Sequence, residues 1–581
     1  MILRPTGTGS APLRELAAAA RTARGPLIVR DPGLVIPEGV LALLEGTDVQ
    51  TTVLVARSPA RPTQVSPTPA PLRVLHHRLH SAGSSAHDVT DPDHVAVGAL
   101  VVGTADLAAA ADAWTTLADV MDAQRWPAPD PVDLATVALV RSGIPTAAVA
   151  IPDVPWGRGT LFAATDHGDG ERLRQRVAEV DPRRLAGLLA NRPDDGLYST
   201  LVLRRLSKPL TATLIRLRVA PNAITLASLA IGLLAAGAFA LGRTWSLILG
   251  AVLLQMSLVI DCCDGEVARA TNRMSPVGAW LDASTDRVKE FAAYAGLATG
   301  AAVTGTAALW PLAALLLVIQ TFRHMGDYDF SRIQRMREGL VAPVPLDQRG
   351  DGHLPTASAL LRASGRLRSR PALMWAKRVA HMPIGERWLW LSLAAALGGA
   401  AWALGGLLAL TLLALVYVTA GRVLRTRTWR GPTAPAGALL LQRQIDSVIL
   451  GSGVRRHRPL TLLARPVGWV VPPLLRLLEM GLVLVLVLAA APGAIVVAFV
   501  WLFLVAFHHY DGLYRSLQDR GMPGWIIRAS AGWEGRSLLV IVLAALGIMA
   551  PGLGIAAVPL ALVVVVIASV QWLIEVRRPR G

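Results

Sequence analysis

The sequence predicts two unlike parts, a soluble α/β domain at the N-terminus and an all-α polytopic membrane domain after it. Residues 1 to about 195 contain no apolar run near the roughly 20 residues that a membrane-spanning helix needs. From about residue 220, long apolar runs follow one another through the rest of the chain. Hydrophobic residues make up 53% of the 581 residues and the mean hydropathy is +0.47, which is too apolar for an ordinary soluble protein.

Short apolar runs alternate with Ala- and Leu-rich helical stretches in the first part. These runs are PLIVR (26–30), TTVLVA (51–56), HVAVGALVVG (94–103), ATVALVR (135–141) and PTAAVAIP (145–152). The alternation predicts an α/β domain with a largely parallel sheet. The stretch 58–71, rich in Pro, Ser and Thr, is predicted to be a loop. The N-terminal residues show no signal-peptide pattern, so we expect this domain in the cytoplasm.

About ten apolar stretches in the second part are long enough to cross a membrane. They lie near 222–241, 244–261, 280–303, 307–322, 388–404, 406–421, 477–491, 493–508, 537–551 and 553–573. Every second connection (262–279, 323–387, 422–476 and 509–536) carries Arg or Lys, whereas the opposite connections are short and nearly uncharged. This positive-inside asymmetry predicts an integral protein of a bacterial-type plasma membrane, with both termini in the cytoplasm.

The formal charge of +17 comes from 57 Lys and Arg against 40 Asp and Glu. Such an excess suits an anionic membrane surface or phosphorylated substrates. Nucleic acid is the weaker interpretation, because basic residues are not interleaved with aromatic ones as in single-strand binders. The only two cysteines, Cys262 and Cys263, are adjacent, so they cannot join distant segments, which fits a reducing compartment.

Four aspartates stand in the connection between the second and third predicted spans, DCCDGEVARATNRMSPVGAWLDASTDR. Asp261 and Asp264 are three residues apart and Asp282 and Asp286 are four apart, so each pair shares one face of a helix. Two antiparallel helices would then direct four carboxylates at one volume. Divalent cations would relieve their repulsion, and all-oxygen ligation suits Mg²⁺ or Mn²⁺.

Other residues of the segment fit a phosphorylated ligand. Gly265 and Ala268 leave room for a ligand to approach the helix, and Arg269 offers a planar fork for a phosphate. The alternative is a set of interfacial acids that pair with Arg269, Arg273 and Arg287.

The segment resembles the CDP-alcohol phosphotransferase family. It matches the signature D-x2-D-G-x2-A-R-x8-G-x3-D-x3-D at every fixed position, and the lead-in PNAIT occurs at 221–225. The resemblance covers about 195–425 and implies a six-helix catalytic body, an activity in phospholipid biosynthesis, and a homodimer. We therefore expect a CDP-alcohol phosphotransferase membrane domain at 221–425 and a membrane extension of about four extra helices at 426–581.

The resemblance also implies roles for individual residues. Asp261, Asp264, Asp282 and Asp286 would hold two ions, Mg²⁺ or Mn²⁺, and Asp286 would also be the general base that deprotonates the acceptor hydroxyl. The residues expected to contact the CDP group are Asn222, Thr225, Gly265, Ala268, Arg269 and Ser275. Two metal ions would stabilise the charge that develops during transfer and favour departure of CMP.

The junction DDGLYSTLVLRRLSKPLT at 194–211 resembles that of bifunctional inositol-phosphate cytidylyltransferase/di-inositol-phosphate-phosphate synthases. Residues 1–195 would then be a nucleotidyltransferase-like domain. The Gly-rich nucleotide loop expected after the first strand is missing, because GTGS at 7–10 follows none of the predicted strands. We therefore expect a degenerate, non-catalytic domain. Residues 196–220 are predicted to form an amphipathic helix on the membrane surface, with a plain linker helix as the alternative.

Two further positions have open interpretations. Arg323 ends the fourth predicted span and is either an acceptor-phosphate contact or a positive-inside anchor. His508, His509 and Asp511 either bind a metal or form an interfacial belt with Tyr510, Tyr514 and Trp525. The connection 326–386 is expected to lie along the membrane surface.

The leading functional hypothesis is transfer of a phospho-alcohol group from CDP-diacylglycerol or a CDP-polyol to a hydroxyl acceptor, such as inositol or a sugar phosphate. The alternative is a catalytically silent membrane scaffold or partner-binding protein that retains the fold, although a scaffold would not need all four aspartates. A transporter has no broken-helix pattern in its favour.

Overall fold

The computed structural model describes residues 2–6, 9–32, 34, 36, 40, 44, 50–57, 70–75, 77–90, 92–124, 130–150, 175, 196–271, 273–306, 308–338, 343–351, 379–427, 429, 435–449, 461–517 and 520–577. The chain forms two compact units. The first comprises Met1–Pro193 and Arg335–Ala359, and the second comprises Asp194–Gln334 and Leu360–Gly581. The predicted loop 58–71 lies almost entirely outside the described residues.

The first unit contains a seven-stranded sheet with helices beside it. The strands are β1 (Ile2–Leu3), β2 (Leu27–Arg30), β3 (Thr52–Arg57), β4 (Pro71–Leu75), β5 (Arg78–Ala82), β6 (His94–Val102) and β7 (Ala147–Ala150), in the order β1-β2-β6-β3-β7-β5-β4. The helices are α1 (Ala11–Thr22), α2 (Leu107–Gln124) and α3 (Pro131–Arg141). They bury Leu16, Trp114 and Leu139 in one core with the sheet.

Three expectations for this unit were wrong. The sheet is mixed, because β6 runs antiparallel to both of its neighbours, β2 and β3. The run 135–141 lies in α3, where Asp130 caps the helix by accepting from the amides of Val132 and Asp133. A strand does precede GTGS, because β1 pairs with β2 before α1 begins. Periodicity cannot distinguish a short buried strand from a buried helix, and a two-residue strand leaves no period at all.

Part of the connection 326–386 belongs to this unit, and its position along the membrane surface stays a prediction. The Asp351 carboxylate accepts from the Ser81 hydroxyl at 3.0 Å and from the Thr90 amide at 2.8 Å. The Arg141 guanidinium donates to the carbonyl of Gln348 at 2.5 Å. Residues 343–351 are therefore held by the domain that begins the chain.

The second unit is helical throughout its described residues. Its helices are α4 (Arg204–Arg216), α5 (Pro221–Ala240), α6 (Thr244–Ala270), α7 (Pro276–Val303), α8 (Trp310–Glu338), α9 (Ile384–Thr426), α10 (Pro435–Arg443), α11 (Val471–Ala490), α12 (Ile495–Leu517), α13 (Gly524–Ala529), α14 (Gly532–Ala545), α15 (Met549–Ala561) and α16 (Ala568–Arg577). Pro221 and Pro276 each begin a helix at a position where the missing amide costs no hydrogen bond.

Six helices among the described residues are long and apolar enough to cross a membrane. They are Pro221–Ala240, Thr244–Ala270, Ile384–Thr426, Gly468–Ala490, Pro492–Leu517 and Met549–Val576. The chain is therefore an integral membrane protein in its second unit, and the count of about ten spans stays a prediction. α9 contains two of the predicted spans. Its helix is interrupted at Gly399, where φ is +81°, and this interruption divides the two spans. The Trp390 indole donates to the Ala403 carbonyl at 3.3 Å, so the two halves fold back on each other.

Helix α4 presents its polar face to the protein. Arg204, Ser207 and Thr211 all bond the carboxylate of Glu266 on α6, at 2.5, 2.9 and 2.6 Å. Leu206 on the same helix is 54% exposed. Leu210 and Leu214 also pack inward, and Arg205 is exposed, so the position of this helix at a membrane surface stays a prediction.

Close contact between α5 and α7 fixes the angle of the helix that carries two of the aspartates. Gly296 and Gly300 are spaced as G-x-x-x-G, and a Cβ on either would lie within 2.3 Å of a backbone oxygen of α5. Small residues at this spacing let two helix backbones approach closely inside a membrane.

The helices after residue 470 pack against the N-terminal end of α7, opposite to the end that carries Gly296 and Gly300. The Trp280 indole donates to Asp511 at 2.9 Å, and the Tyr514 hydroxyl donates to the Ala283 carbonyl at 3.3 Å. Since these contacts flank Asp282, the C-terminal helices support the segment on which the candidate site is built.

Candidate metal and phosphate site

Helices α6 and α7 bring three of the four aspartates together. One carboxylate oxygen from each of Asp261, Asp264 and Asp282 lies within 4.8 Å of the others. Three of the four carboxylates therefore converge between the two helices, and their role as metal ligands stays a prediction. The three are the only group of metal-ligating side chains of this kind among the residues that the structure describes.

A buried lysine joins the fourth aspartate to the group. The ammonium of Lys289 lies 2.5 Å from Asp261 and 3.1 Å from Asp286, and it donates to the Ser228 hydroxyl at 2.9 Å. The Lys289 side chain is fully buried, and its ammonium lies 5.3 Å from the centre of the Trp388 ring. Asp286 is therefore linked to Asp261 through a shared cation and lies outside the group of three.

Two hydroxyls of α5 orient the carboxylates from the opposite side. Thr225 donates to Asp264 at 2.5 Å, and Ser228 donates to Asp261 at 3.1 Å. Because Thr225 is buried and bonded to a carboxylate, the structure places it as a partner of Asp264. Its predicted contact with the CDP group stays a prediction.

The remaining predicted CDP contacts surround the loop between α6 and α7. The guanidinium of Arg269 lies across Gly265, where a Cβ would be 3.1 Å from Nη1. Ser275 caps α7 by accepting from the Gly278 amide at 3.0 Å. The Asn222 side-chain oxygen would lie 3.2 Å from a Cβ at Gly278, so α5 approaches this cap. Ala268 is half-buried in the last turns of α6.

Arg323 is buried on α8. Its Nη2 donates to the carbonyls of His381 and Met382, while Nε and Nη1 make no hydrogen bond. Arg323 is 3% exposed, so it is no longer a candidate for a simple surface anchor. Its role toward an acceptor phosphate stays a prediction.

A second buried network lies one turn beyond Asp286. Glu290 accepts from Arg287 at 2.7 Å, from Arg387 at 2.8 Å and from the Tyr294 hydroxyl at 2.9 Å. Arg287 therefore has a carboxylate partner of its own, and the cation that pairs with the aspartates is Lys289. The interfacial-belt interpretation of His508, His509 and Asp511 was wrong, and the metal interpretation has no support. The two histidines and Tyr510 are buried among helices, and the described residues place no metal-ligand group there.

The residues present fit divalent cations. The ligand set is all oxygen, which hard cations prefer. Four carboxylates and one ammonium, −4 and +1, leave a formal charge of −3 within one half-buried volume. Negative charge gathered at membrane depth costs free energy, and bound divalent cations would lower that cost.

Sequence reasoning missed Lys289 and Ser228. Lys289 stands three residues after Asp286 on the same helical face, so a cation within an otherwise apolar predicted span was a usable signal. Ser228 leaves no such signal, because a hydroxyl on a membrane helix usually bonds its own backbone.

Two family models match separate parts of the chain. The model described as CDP-alcohol phosphatidyltransferase matches residues 218–344, which contain the aspartates. A model described as a family of unknown function (DUF5941) matches residues 407–580.

Several curated proteins are similar to the chain. A bifunctional IPC transferase and DIPP synthase of Archaeoglobus fulgidus is 31% identical over 186 residues, 31% of this chain and 37% of that protein. An archaetidylinositol phosphate synthase of Pyrococcus horikoshii is 30% identical over 139 residues, 24% of this chain and 68% of that protein. A phosphatidylinositol phosphate synthase of Mycolicibacterium smegmatis is 34% identical over 99 residues, 17% of this chain and 43% of that protein. The match spans about a third of the length of the bifunctional relatives.

Proposed function

The chain belongs to the CDP-alcohol phosphatidyltransferase family, and we propose that it transfers a phospho-alcohol group from a CDP-alcohol to an acceptor hydroxyl, with release of CMP. The observation that carries this proposal is the convergence of Asp261, Asp264 and Asp282 within 4.8 Å, in the region that the family model matches. Placing these carboxylates at membrane depth costs free energy, and a catalytic role explains why they are present there.

The site is proposed to take two ions, Mg²⁺ or Mn²⁺. Starting from a formal charge of −3, one divalent cation would leave −1, which would repel the diphosphate of the donor. Two would leave +1, which would attract it. The ions would be held by Asp261, Asp264, Asp282 and Asp286. When bound, they supply electrostatic stabilisation of the diphosphate and of the charge that develops in transfer.

The chain's own groups would position the reactants and move one proton. Asp286 is proposed to accept the proton of the acceptor hydroxyl. The hydroxyl oxygen then forms a bond to the phosphorus of the phospho-alcohol group, and the bond from that phosphorus to the CMP oxygen breaks. Lys289 lies 3.1 Å from Asp286 and 2.5 Å from Asp261, so it fixes the position of the carboxylate that would accept the proton. Thr225 and Ser228 hold Asp264 and Asp261 in place.

The substrates are proposed from the relatives and from the charge of the site. The relatives are named for IPC transfer and for synthesis of archaetidylinositol phosphate and phosphatidylinositol phosphate. We therefore propose CDP-diacylglycerol or a CDP-polyol as donor and an inositol or sugar phosphate as acceptor. The donor would contact Asn222, Gly265, Ala268, Arg269 and Ser275, and Arg323 would contact the acceptor phosphate. A homodimer is a further proposal.

The test is CMP release by the purified protein in lipid nanodiscs. We expect CMP with Mg²⁺ or Mn²⁺ when CDP-diacylglycerol or CDP-inositol is offered with a panel of polyol and polyol-phosphate acceptors. EDTA and the variant Asp286→Asn are the controls. The proposal fails if no donor and acceptor pair releases CMP above the level of the Asp286→Asn protein.

The active site and the N-terminal domain are proposed to face the cytoplasm, in a bacterial-type plasma membrane. Support comes from the basic connections, which lie at the same end of the helices as the aspartates. Arg515, near the end of α12, bonds Asp511, and Asp511 bonds Trp280 at the start of α7. A soluble nucleotide could then reach the site without crossing the membrane.

The first unit is proposed to be non-catalytic. β1 is followed by the segment GTGS, which has the order expected of a nucleotide loop, but the Arg and downstream Lys of such a loop are missing. We expect no pyrophosphate when the purified protein is mixed with CTP, Mg²⁺ and inositol phosphate, as followed by a coupled phosphate assay. Pyrophosphate release that persists in the Asp286→Asn variant would show an active cytidylyltransferase and contradict the proposal.

A further inference from the structure

Helix α7 is held by α5 near its C-terminal end, whereas Asp282 lies near its start. At about 1.5 Å per residue, Asp282 is about 21 Å along the helix axis from Gly296, where α7 meets the backbone of α5. A small change in the angle of α7 would therefore displace the Asp282 carboxylate more than the contact at Gly296. Since Asp282 belongs to the group of carboxylates within 4.8 Å, that group depends on a second contact near the start of α7.

The second contact comes from α12, in the region matched by the family of unknown function. The Trp280 indole donates to Asp511 Oδ1 at 2.9 Å, and the Tyr514 hydroxyl donates to the Ala283 carbonyl at 3.3 Å. Trp280 and Asp282 are two residues apart, which places them about 200° apart around the helix. Helix α12 therefore holds α7 on the face opposite to the aspartates, at the level of Asp282.

The acceptor of the Trp280 bond is itself fixed by the last helix of the chain. Arg515 Nε lies 3.0 Å from each oxygen of Asp511 and donates to both. Its Nη1 donates to Gln571 at 2.9 Å, and its Nη2 donates to the Ala568 carbonyl at 2.5 Å. A planar guanidinium that is bonded through all three nitrogens cannot rotate without breaking a bond. Helix α16 thus fixes Arg515, and Arg515 fixes the carboxylate that accepts from Trp280.

Apolar packing alone does not account for this buried pair. Asp511 and Arg515 are both buried, and apolar side chains of similar volume would avoid the desolvation cost of two charges. What the pair adds to an apolar contact is direction, because a hydrogen bond needs its donor at one distance and near one angle. The carboxylate therefore fixes the position of the Trp280 indole, which a smooth apolar surface would leave free to slide.

We propose that the C-terminal helices set the affinity of the aspartates for divalent cations, because Asp511 holds Trp280 and thereby holds Asp282 within its group. Asp511 and Trp280 are positioning residues, since neither belongs to the carboxylates that would bind the ions. The inference rests on the proposed metal site. It gives the region matched by the family of unknown function a role in that site.

Trp280→Phe tests this role, since it removes the indole N–H while Asp511 keeps both of its bonds from Arg515. We use the whole protein in lipid nanodiscs and follow Mn²⁺ binding by electron paramagnetic resonance. The Mn²⁺ concentration for half-saturation should rise roughly three- to tenfold, because one buried hydrogen bond is lost, with the same number of ions at saturation.

The matched control is Trp114→Phe, which removes an indole bond of similar length, 3.1 Å, to the Ala135 carbonyl in the first unit. It should lower the melting temperature and leave the affinity for Mn²⁺ unchanged. A purely structural role of Trp280 would give the same result as this control.

A second measurement involves neither metal nor activity. In EDTA, hydrogen exchange of the amides at 279–286 should be roughly three- to tenfold faster in Trp280→Phe than in the wild type, because the start of α7 opens more easily. In Trp114→Phe the same amides should exchange at the wild-type rate. Tyr514→Phe removes the bond to Ala283 but keeps the ring, and it takes the place of Trp280→Phe if that protein does not fold.

The outcomes separate this role from the proposed function. If the wild type binds no Mn²⁺, the proposed metal site is overturned and the role of the C-terminal helices with it. If the wild type binds Mn²⁺, but either the Mn²⁺ affinity or the exchange rate of Trp280→Phe equals that of the wild type, only the role of the C-terminal helices is overturned.

Discussion

Asp261→Asn is expected to abolish most CMP release and to reduce the number of Mn²⁺ ions that the protein holds. Asp261 is the carboxylate with the most partners in the site: it belongs to the group of three, bonds Lys289 at 2.5 Å and accepts from Ser228 at 3.1 Å. Asparagine has the same shape but only one ligating oxygen and no charge. Since metal-borne charge stabilisation is worth several kcal/mol, we expect CMP release to fall by roughly a thousandfold or more.

The measurement combines CMP release with Mn²⁺ binding followed by electron paramagnetic resonance, so that metal loss is seen independently of activity. Asp112→Asn makes the same chemical change at an exposed position of α2 in the first unit and should match the wild type in both measurements. A variant at Asp261 that keeps full Mn²⁺ binding, while losing activity, would contradict a ligand role for this residue.

The motif of residues 261–286 was predictable because its information is local. Helical spacing of three and four residues fixes which carboxylates share a face, and the antiparallel arrangement of α6 and α7 then follows from the short connection between them. The helices were predictable for the same reason, since length and apolarity are read directly from the chain. Gly399 shows the limit of this approach, because the break in α9 falls six residues before the predicted boundary.

The missed features depend on contacts between residues far apart in sequence. The antiparallel position of β6 depends on pairing between residues about 40 to 75 positions apart in sequence, as in Val29 with Leu100. Amino-acid composition does not show which strands pair with each other. The burial of His508 and His509 likewise depends on α11 and α14, which supply Glu479 and Arg536. A sequence pattern alone suggested a membrane interface there, whereas packing makes it an internal network.

Lys289 was missed for a different reason. Its stem passes over Gly232 on α5, where a Cβ would lie 2.7 Å from the Lys289 Cγ, so the lysine is buried only because a neighbouring helix has no side chain there. The ammonium then reaches Asp261, Asp286 and Ser228 at once. A cation inside an apolar span points to a functional role, but the groups that it contacts follow only from the packing of three helices.

Lys289→Met is expected to destabilise the metal-free protein and to make it bind Mn²⁺ more tightly. Methionine keeps an unbranched side chain of similar length but removes the charge that Asp261 and Asp286 share. Breaking a buried ion pair costs about 3–5 kcal/mol, so the melting temperature in EDTA should fall clearly. The formal charge of the site becomes −4 instead of −3, and the added attraction should lower the Mn²⁺ concentration needed for half-saturation.

In Lys289→Met, CMP release should fall while the affinity for Mn²⁺ rises. Lys289 contacts both Asp286 and Asp261, so its loss removes a group that orients the proposed base, and CMP release at saturating Mn²⁺ should fall although the metal sites are full. Lys208→Met removes the only other lysine among the described residues, on α4, and should change neither property. The combination of lower CMP release and tighter Mn²⁺ binding distinguishes a positioning role from a purely structural one. If Lys289 only supported packing, its loss would lower stability without tightening Mn²⁺ binding. Equal Mn²⁺ affinity in Lys289→Met and the wild type would therefore contradict the role assigned to the ammonium.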